Sequence, residues 1–173
     1  MVTPALARAG GALERDATAF YQAVSHLVRV YQFRDRQRIC YRGISVTQCY
    51  ALSALVEGGA MRLDALAGEL FLDKSTASRV VDCLEQEGYV RRGEDRLDGR
   101  AVRLEATRKG RTLHAAIVRD LIEEQKRLIE EFPADVRRAA AALISKLARS
   151  AEAKFGSTRG CAPRERSTRG RTD

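Results

Sequence analysis

One short segment, DKSTASR at residues 73–79, combines an acid, two cations and three hydroxyls at helical spacing. Asp73 is a favourable N-cap, because its carboxylate can accept the unpaired amide of Thr76. Apolar residues then recur at three- and four-residue steps, which predicts one buried stripe. The opposite face carries Lys74, Ser75, Ser78, Arg79 and Asp82. Such a face suits a DNA duplex, because cations and helix amides bind phosphate while Ser and Arg reach base edges.

Two further elements would position this helix. A shorter helix at 64–70 precedes it across the turn 71–73, and that order predicts a helix-turn-helix. After Gly88, strand-like runs at 89–92 and 101–105 enclose a Gly-flanked loop, which predicts a hairpin, or wing. We expect the arginines of this wing to lie along the duplex backbone; they are Arg91, Arg92, Arg96, Arg100 and Arg103. For any one of them, a solvated surface charge is the alternative interpretation.

These motifs resemble the winged helix-turn-helix of the multiple antibiotic resistance regulator (MarR) family. The resemblance covers roughly residues 13–155 and depends on DKSTASR, the Gly88-Tyr89-Val90 exit, Asp98-x-Arg100 in the wing, and Thr107. It implies that four side chains face the major groove: Ser75, Thr76, Ser78 and Arg79. It also implies that Arg100 reaches the minor groove and that Asp98 supports the wing.

Amphipathic helices flank this core on both sides. Apolar residues from Leu13 to Tyr31 repeat at helical spacing, and two helices follow Thr107, separated at Phe132-Pro133. Their apolar stripes exceed what one small lobe can cover, so we predict a homodimer. Two reading helices about 10 base pairs apart would then fit a pseudo-palindromic operator in double-stranded DNA.

The predicted fold class is mainly α, a winged helix-turn-helix core with a small β-hairpin wing, flanked by N- and C-terminal dimerisation helices. Ser45 and Gln48 fit a capping box at the start of a supporting helix, and residues 61–63 are expected to add a short strand. The tail has almost no apolar residues to bury. The predicted parts are a frayed N-terminus (1–12), an N-terminal dimerisation helix (13–38), a DNA-binding lobe (39–107), C-terminal dimerisation helices (108–155) and a disordered basic tail (156–173).

The net charge of +8 favours attraction to a polyanion, which would weaken with salt. Residues 61–107, however, carry eight Lys and Arg against ten Asp and Glu. The argument for DNA therefore depends on where the cations lie rather than on bulk charge. No apolar run approaches the roughly 20 residues that span a bilayer, and no secretory signal is evident, so we expect a bacterial cytoplasmic protein without a membrane partner.

We find no phosphate-binding Gly loop, no convincing carboxylate pair and no His-rich motif, so we predict no enzyme, no catalytic residues, no metal and no cofactor. The four cysteines are expected to be free thiols. Cys40 is a redox candidate, because Arg38 and Arg42 beside it favour a thiolate. Cys49 and Cys83 look like small core residues. The family's thiol sensors carry their cysteine in the first helix, where we expect none in this chain.

The resemblance also implies an effector pocket between the dimerisation helices and the lobe, often for small aromatic or phenolic acids. The residues predicted to bind the effector are His26, Tyr31 and Tyr50; core packing is the alternative for each. Our main hypothesis is a sequence-specific dimeric transcription regulator, a repressor released by such an effector. The alternatives are a thiol-based redox-sensing regulator and a winged-helix dimerisation or protein-interaction module that does not bind DNA.

Overall fold

A computed structural model describes residues 4–94 and 102–155. The chain divides into two compact units, residues 1–49 and 50–173. The described residues form six helices and three strands, which confirms the mainly α class. In chain order these are α1 Pro4–Cys40, α2 Val46–Glu57, β1 Met61–Arg62, α3 Leu63–Glu69, α4 Lys74–Gln86, β2 Val90–Glu94, β3 Val102–Ala106, α5 Arg108–Ile129 and α6 Ala134–Phe155.

The first unit consists of α1 and the start of α2. Helix α1 begins at Pro4, inside the segment 1–12 that we expected to be frayed. Proline suits a first helical turn, and the Ala-rich stretch after it has a high helix propensity. The predicted capping box is confirmed at the start of α2: Ser45 N donates to Gln48 Oε1 at 2.6 Å, and Gln48 N donates to Ser45 Oγ at 3.2 Å.

Much of the apolar surface of α1 is exposed. Large side chains along its length keep more than a third of their area in contact with solvent; they are Leu13, Phe20, Tyr21, Val24, Leu27, Val28, Val30 and Phe33. Isolated exposed apolar residues are common in proteins, but a row along one helix indicates a surface meant to be covered. Among residues 11–40 of α1, whose burial the structure describes, only Asp35 and Ile39 near the end of the helix are buried.

The second unit has a compact core beneath the helix-turn-helix. Side chains from α2, α3, α4 and the sheet form it; they are Ala51, Leu52, Leu55, Leu66, Val81, Leu84, Val90, Leu104 and Ala106. The sheet is antiparallel in the order β1-β3-β2, with Val90 opposite Ala106 and Met61 opposite Leu104. The short strand expected near residue 61 is thus present. Together α3, α4 and the β2–β3 hairpin form the winged helix-turn-helix.

Helix α5 starts against the base of the wing. Thr107 caps it by accepting from Gly110 N at 3.1 Å, while its own hydroxyl donates to Gly88 O at 2.7 Å. From there α5 and α6 extend with long exposed faces, and residues 134–154 are exposed throughout. Within the described ranges, every helix is too short or too polar to cross a membrane.

Candidate nucleic-acid interface

Asp73 organises the first turn of α4, which we call the reading helix. Its Oδ1 accepts from Thr76 N at 2.8 Å and from Ser75 Oγ at 2.6 Å, and its Oδ2 accepts from Thr76 Oγ1 at 2.7 Å. The predicted N-cap is confirmed. The hydroxyl of Ser75, followed by the hydroxyl and amide of Thr76, holds the pKa of Asp73 well below its usual range.

This cap determines how the two hydroxyls can bind DNA. A hydroxyl has one proton and two lone pairs. Because Ser75 and Thr76 give their protons to Asp73, they are left to accept hydrogen bonds. In the major groove the donors are the amino groups of adenine and cytosine. Donation to a phosphate oxygen would require either hydroxyl to leave Asp73.

The two faces of the reading helix separate as the sequence predicts. Ala77, Val81 and Leu84 are buried. Lys74, Ser75 and Arg79 are exposed, and the predicted contacts Thr76 and Ser78 are partly buried. The structure therefore brings these five DNA-binding candidates together on one helical turn and a half.

The two cations on this face differ in their ion-pair partners. Lys74 Nζ lies 2.7 Å from Asp64 Oδ1 on α3, and both side chains are about two-thirds exposed. An exposed ion pair of this kind contributes at most about 1 kcal/mol, so a phosphate can replace Asp64 as the partner of Lys74. Within the described residues Arg79 has no ion-pair partner.

Three arginines of the wing are bonded to the protein, which differs from our expectation that they all lie along the duplex. Arg91 Nη2 pairs with Glu105 Oε2 across the hairpin at 2.6 Å, which lowers the pKa of Glu105. Arg92 bridges to Asp82 and Glu85 of α4, and Arg103 donates to the carbonyl of Ala60. The remaining predicted wing residues lie outside the described residues: Arg96, Asp98 and Arg100.

The effector candidates are not gathered at one site within either unit. His26 is exposed on α1, and the ring of Tyr31 lies 4.1 Å beneath the guanidinium of Arg34. Five positions on a helix correspond to about 140° of rotation, so His26 and Tyr31 point to different sides of α1. Tyr50 belongs to the second unit and is half exposed. Their role in effector binding stays a prediction.

The cysteines correct two expectations. Cys83 is exposed rather than part of the core, because it follows Val81 by two positions, about 200° around the helix. Cys40 is exposed and is the last residue of α1, so the first helix does contain a cysteine. Cys49 is buried, and burial followed by the charge of Asp35 raises its pKa to about 11, which keeps that thiol protonated.

Comparison with known proteins agrees with this geometry. Residues 42–101 match the model of the MarR family. This segment, which contains the reading helix, is therefore similar to the MarR family. The chain is 33% identical over 95 residues to the HTH-type transcriptional regulator TtmR of Methylorubrum extorquens (strain PA1), a match that covers 55% of the chain and 47% of TtmR. The chain therefore spans about half the length of that relative.

Two further proteins are similar to this chain, one in sequence and one in fold. The uncharacterized HTH-type transcriptional regulator YsmB of Bacillus subtilis (strain 168) is 23% identical over 111 residues, covering 64% of this chain and 76% of YsmB. A MarR family protein from Bacillus stearothermophilus superposes with a TM-score of 0.74 at 22% identity, covering 79% of this chain and 96% of that one. At that identity the superposition confirms the winged helix-turn-helix fold alone.

Proposed function

We propose that this chain is a sequence-specific, dimeric DNA-binding regulator of transcription, a repressor that acts at the nucleoid in the bacterial cytoplasm. The proposal rests on one observation: the polar side chains at the start of the reading helix are exposed, while the apolar stripe of the same helix is buried. Arg79 supplies a cation that has no ion-pair partner among the described residues, and Ser75 and Thr76 supply acceptors. Arginine in this position is suited to base edges and phosphates, and hydroxyl acceptors are suited to the amino groups of adenine and cytosine.

A homodimer follows from the exposed apolar faces. Besides the row on α1, helices α5 and α6 expose further large side chains: Ile122, Leu128, Val136, Leu143, Ile144 and Leu147. Burial of such a side chain contributes about 1.5–3 kcal/mol, so covering several of them favours association with a second copy. Two-fold symmetry would then place two reading helices about 10 base pairs apart on a pseudo-palindrome.

Release by a small aromatic or phenolic effector is the proposed switch. An effector that binds better to the conformer unable to hold DNA shifts the population away from the operator. His26, Tyr31 and Tyr50 are the residues that we propose for it. Titration of candidate phenolic acids into the complex of the protein with operator DNA tests this step. The wild-type protein should release the DNA, whereas a Tyr31→Ala variant that still binds DNA should not.

Redox sensing is a second candidate for the switch, because the thiol of Cys40 is exposed. An accessible thiol can be oxidised, whereas the buried Cys49 is protected. Peroxide should then release operator DNA from the wild-type protein but not from Cys40→Ser. Release that is unchanged in Cys40→Ser would remove this candidate.

Recovery of bound fragments from sheared genomic DNA tests the proposed function. The protein should enrich a small set of fragments that share a pseudo-palindrome, and its affinity for them should fall steeply with salt because counterions are released. A winged-helix module that only binds protein would enrich no fragment. Affinity that is equal for recovered and random fragments would contradict sequence-specific regulation.

A further inference from the structure

Besides the apolar core that α4 and the sheet share, one arginine side chain joins the wing to the reading helix by hydrogen bonds. Arg92 on β2 donates through Nη2 to Asp82 Oδ1 at 2.5 Å and through Nη1 to Glu85 Oε2, both on α4. Its backbone amide also donates to Glu85 Oε1, at 3.3 Å. Asp82 and Glu85 are three positions apart and therefore lie on one side of the helix, within reach of one guanidinium fork. We call these three residues the Arg92 clamp.

The wing around Arg92 is braced as one body. The ion pair of Arg91 with Glu105 joins its two strands, and the bond from Arg103 to the carbonyl of Ala60 joins β3 to the segment before β1. The chain between α4 and β2 is short and turns at Gly88, where φ is +72°. The Arg92 clamp adds polar bonds to the apolar packing of α4 on the sheet, and so further restrains the angle between the braced wing and the reading helix.

Arg92 is not available as a phosphate contact. The hydrogen bond that Arg92 donates to Asp82 and the charges of both carboxylates raise the pKa of Arg92, and only about a third of its side chain is exposed. Its charge is offset by two acids on the helix that faces DNA. The clamp therefore works through geometry, or through neutralisation of those acids, rather than through direct contact with the duplex.

We propose that Arg92 is a positioning residue for operator binding: by bonding Asp82 and Glu85 it holds the wing at the angle at which wing and reading helix reach one duplex together. This inference rests on the proposed DNA-binding function. Loss of the clamp leaves both surfaces and their shared apolar core intact but loosens the angle between them, so simultaneous contact becomes less frequent. Operator affinity falls more than affinity for random DNA, because only the operator complex needs both contacts in register.

Removal of the two carboxylates distinguishes a geometric role of the clamp from a role of charge. The two explanations predict opposite changes in operator affinity. The double variant Asp82→Asn with Glu85→Gln keeps the shapes, removes two negative charges and frees Arg92. If charge alone matters, this variant binds the operator more tightly. The clamp instead predicts about tenfold weaker operator binding, equivalent to about 1.4 kcal/mol. The matched control, Glu130→Gln with Glu131→Gln, makes the same charge change at exposed residues after α5.

Fluorescence anisotropy with operator and scrambled duplexes measures both affinities. Thermal unfolding of each variant checks that it is folded. If the double variant is unfolded, Asp82→Asn alone shows whether operator affinity rises or falls. Weaker operator binding, with the scrambled duplex and the control variant unchanged, is the expected result. Operator binding that is unchanged or tighter in the carboxylate variant overturns the clamp.

A double-mutant cycle separates failure of the clamp from failure of the proposed function. Arg100, assigned to the minor groove through the family resemblance, is replaced by Ala in the wild type and in Arg92→Gln. The clamp predicts that Arg100→Ala weakens operator binding in the wild type but much less in Arg92→Gln, because the wing is already displaced. A full penalty in both backgrounds overturns the clamp and leaves DNA binding intact. Absence of operator binding by the wild-type protein overturns the proposed function itself.

Discussion

Asp73 affects both stability and DNA binding. Its carboxylate accepts the amide that begins the reading helix and also the hydroxyls of Ser75 and Thr76. Its pKa is lowered on folding from the ordinary 3.8. The contribution of ionised Asp73 to the free energy of unfolding is therefore fully present above pH 3.8 and is lost as the pH falls towards the lowered value.

We predict that Asp73→Asn is less stable than wild type at neutral pH, because the amide lacks the charge that accepts both hydroxyls. The difference should shrink as the pH falls below 3.8, where Asp73 itself becomes protonated. Urea unfolding of both proteins across this range measures it. A difference that stays constant over the range would show that ionisation of Asp73 does not stabilise the cap.

Phe71, in the turn before the reading helix, has a backbone φ of +53° and a side chain that is 73% exposed. The left-handed region is unfavourable for every residue with a Cβ, and an exposed ring does little to offset it. We predict that Phe71→Gly raises the free energy of unfolding by about 1 kcal/mol, measured by urea unfolding. Phe71→Ala is the control, since alanine keeps the backbone strain. Equal effects of the two substitutions would contradict this explanation.

At the scale of single residues, the sequence predicts hydrogen bonds between residues that are close together in the chain. The Asp73 cap, the Ser45–Gln48 box and the Thr107 cap could all be predicted, because each bond joins residues a few positions apart. The bond from Arg103 to Ala60 spans 43 positions and could not be. Sequence spacing alone therefore predicts DNA contacts for these arginines, because their protein partners lie far along the chain.

At the scale of elements, the start of α5 fits so closely against the wing that only glycine suits position 110. A Cβ added to Gly110 would overlap the carbonyl oxygen of Tyr89 and lie 3.1 Å from Leu52 Cδ1. We predict that Gly110→Ala lowers the free energy of unfolding by about 1–3 kcal/mol, as overpacking does. In the control Gly68→Ala, on α3, the added Cβ meets nothing within 4 Å. Similar losses in both variants would refute the close fit.

Periodicity predicted the elements but not all their boundaries. The helix-turn-helix and wing were visible because buried residues alternate with polar ones at fixed steps. The early start of α1 was not, since the Ala- and Gly-rich residues near Pro4 show no apolar stripe. The prediction that Cys83 is a core residue is wrong, because its angular position places it off the buried stripe.

For the whole molecule, the exposed rows on α1 and α6 are the basis of the proposed dimer. Leu143 on α6 is 55% exposed. We predict that Leu143→Glu shifts the protein from dimer to monomer in sedimentation velocity, because a charge would have to be buried in the interface. Ser145→Glu adds the same charge about 200° around the helix and should leave the dimer intact. A dimer that survives Leu143→Glu would exclude this face from the interface.

Charge over the whole chain was a poor guide to the site, as the near-balanced residues 61–107 show. The fold and the reading face follow from residue spacing, whereas operator sequence and effector depend on contacts with other molecules. Those contacts are not encoded in any local pattern of this chain.

The most direct test of the account is the affinity of Arg79→Ala for recovered operator and for a scrambled duplex. Arg127→Ala is the matched control, because it removes the same charge about 29 Å along α5 from its start. We predict that Arg79→Ala loses about 1–3 kcal/mol on the operator and little on the scrambled duplex. Arg127→Ala should leave both affinities unchanged. Operator affinity that is the same in Arg79→Ala and Arg127→Ala would contradict the claim that the start of the reading helix recognises DNA.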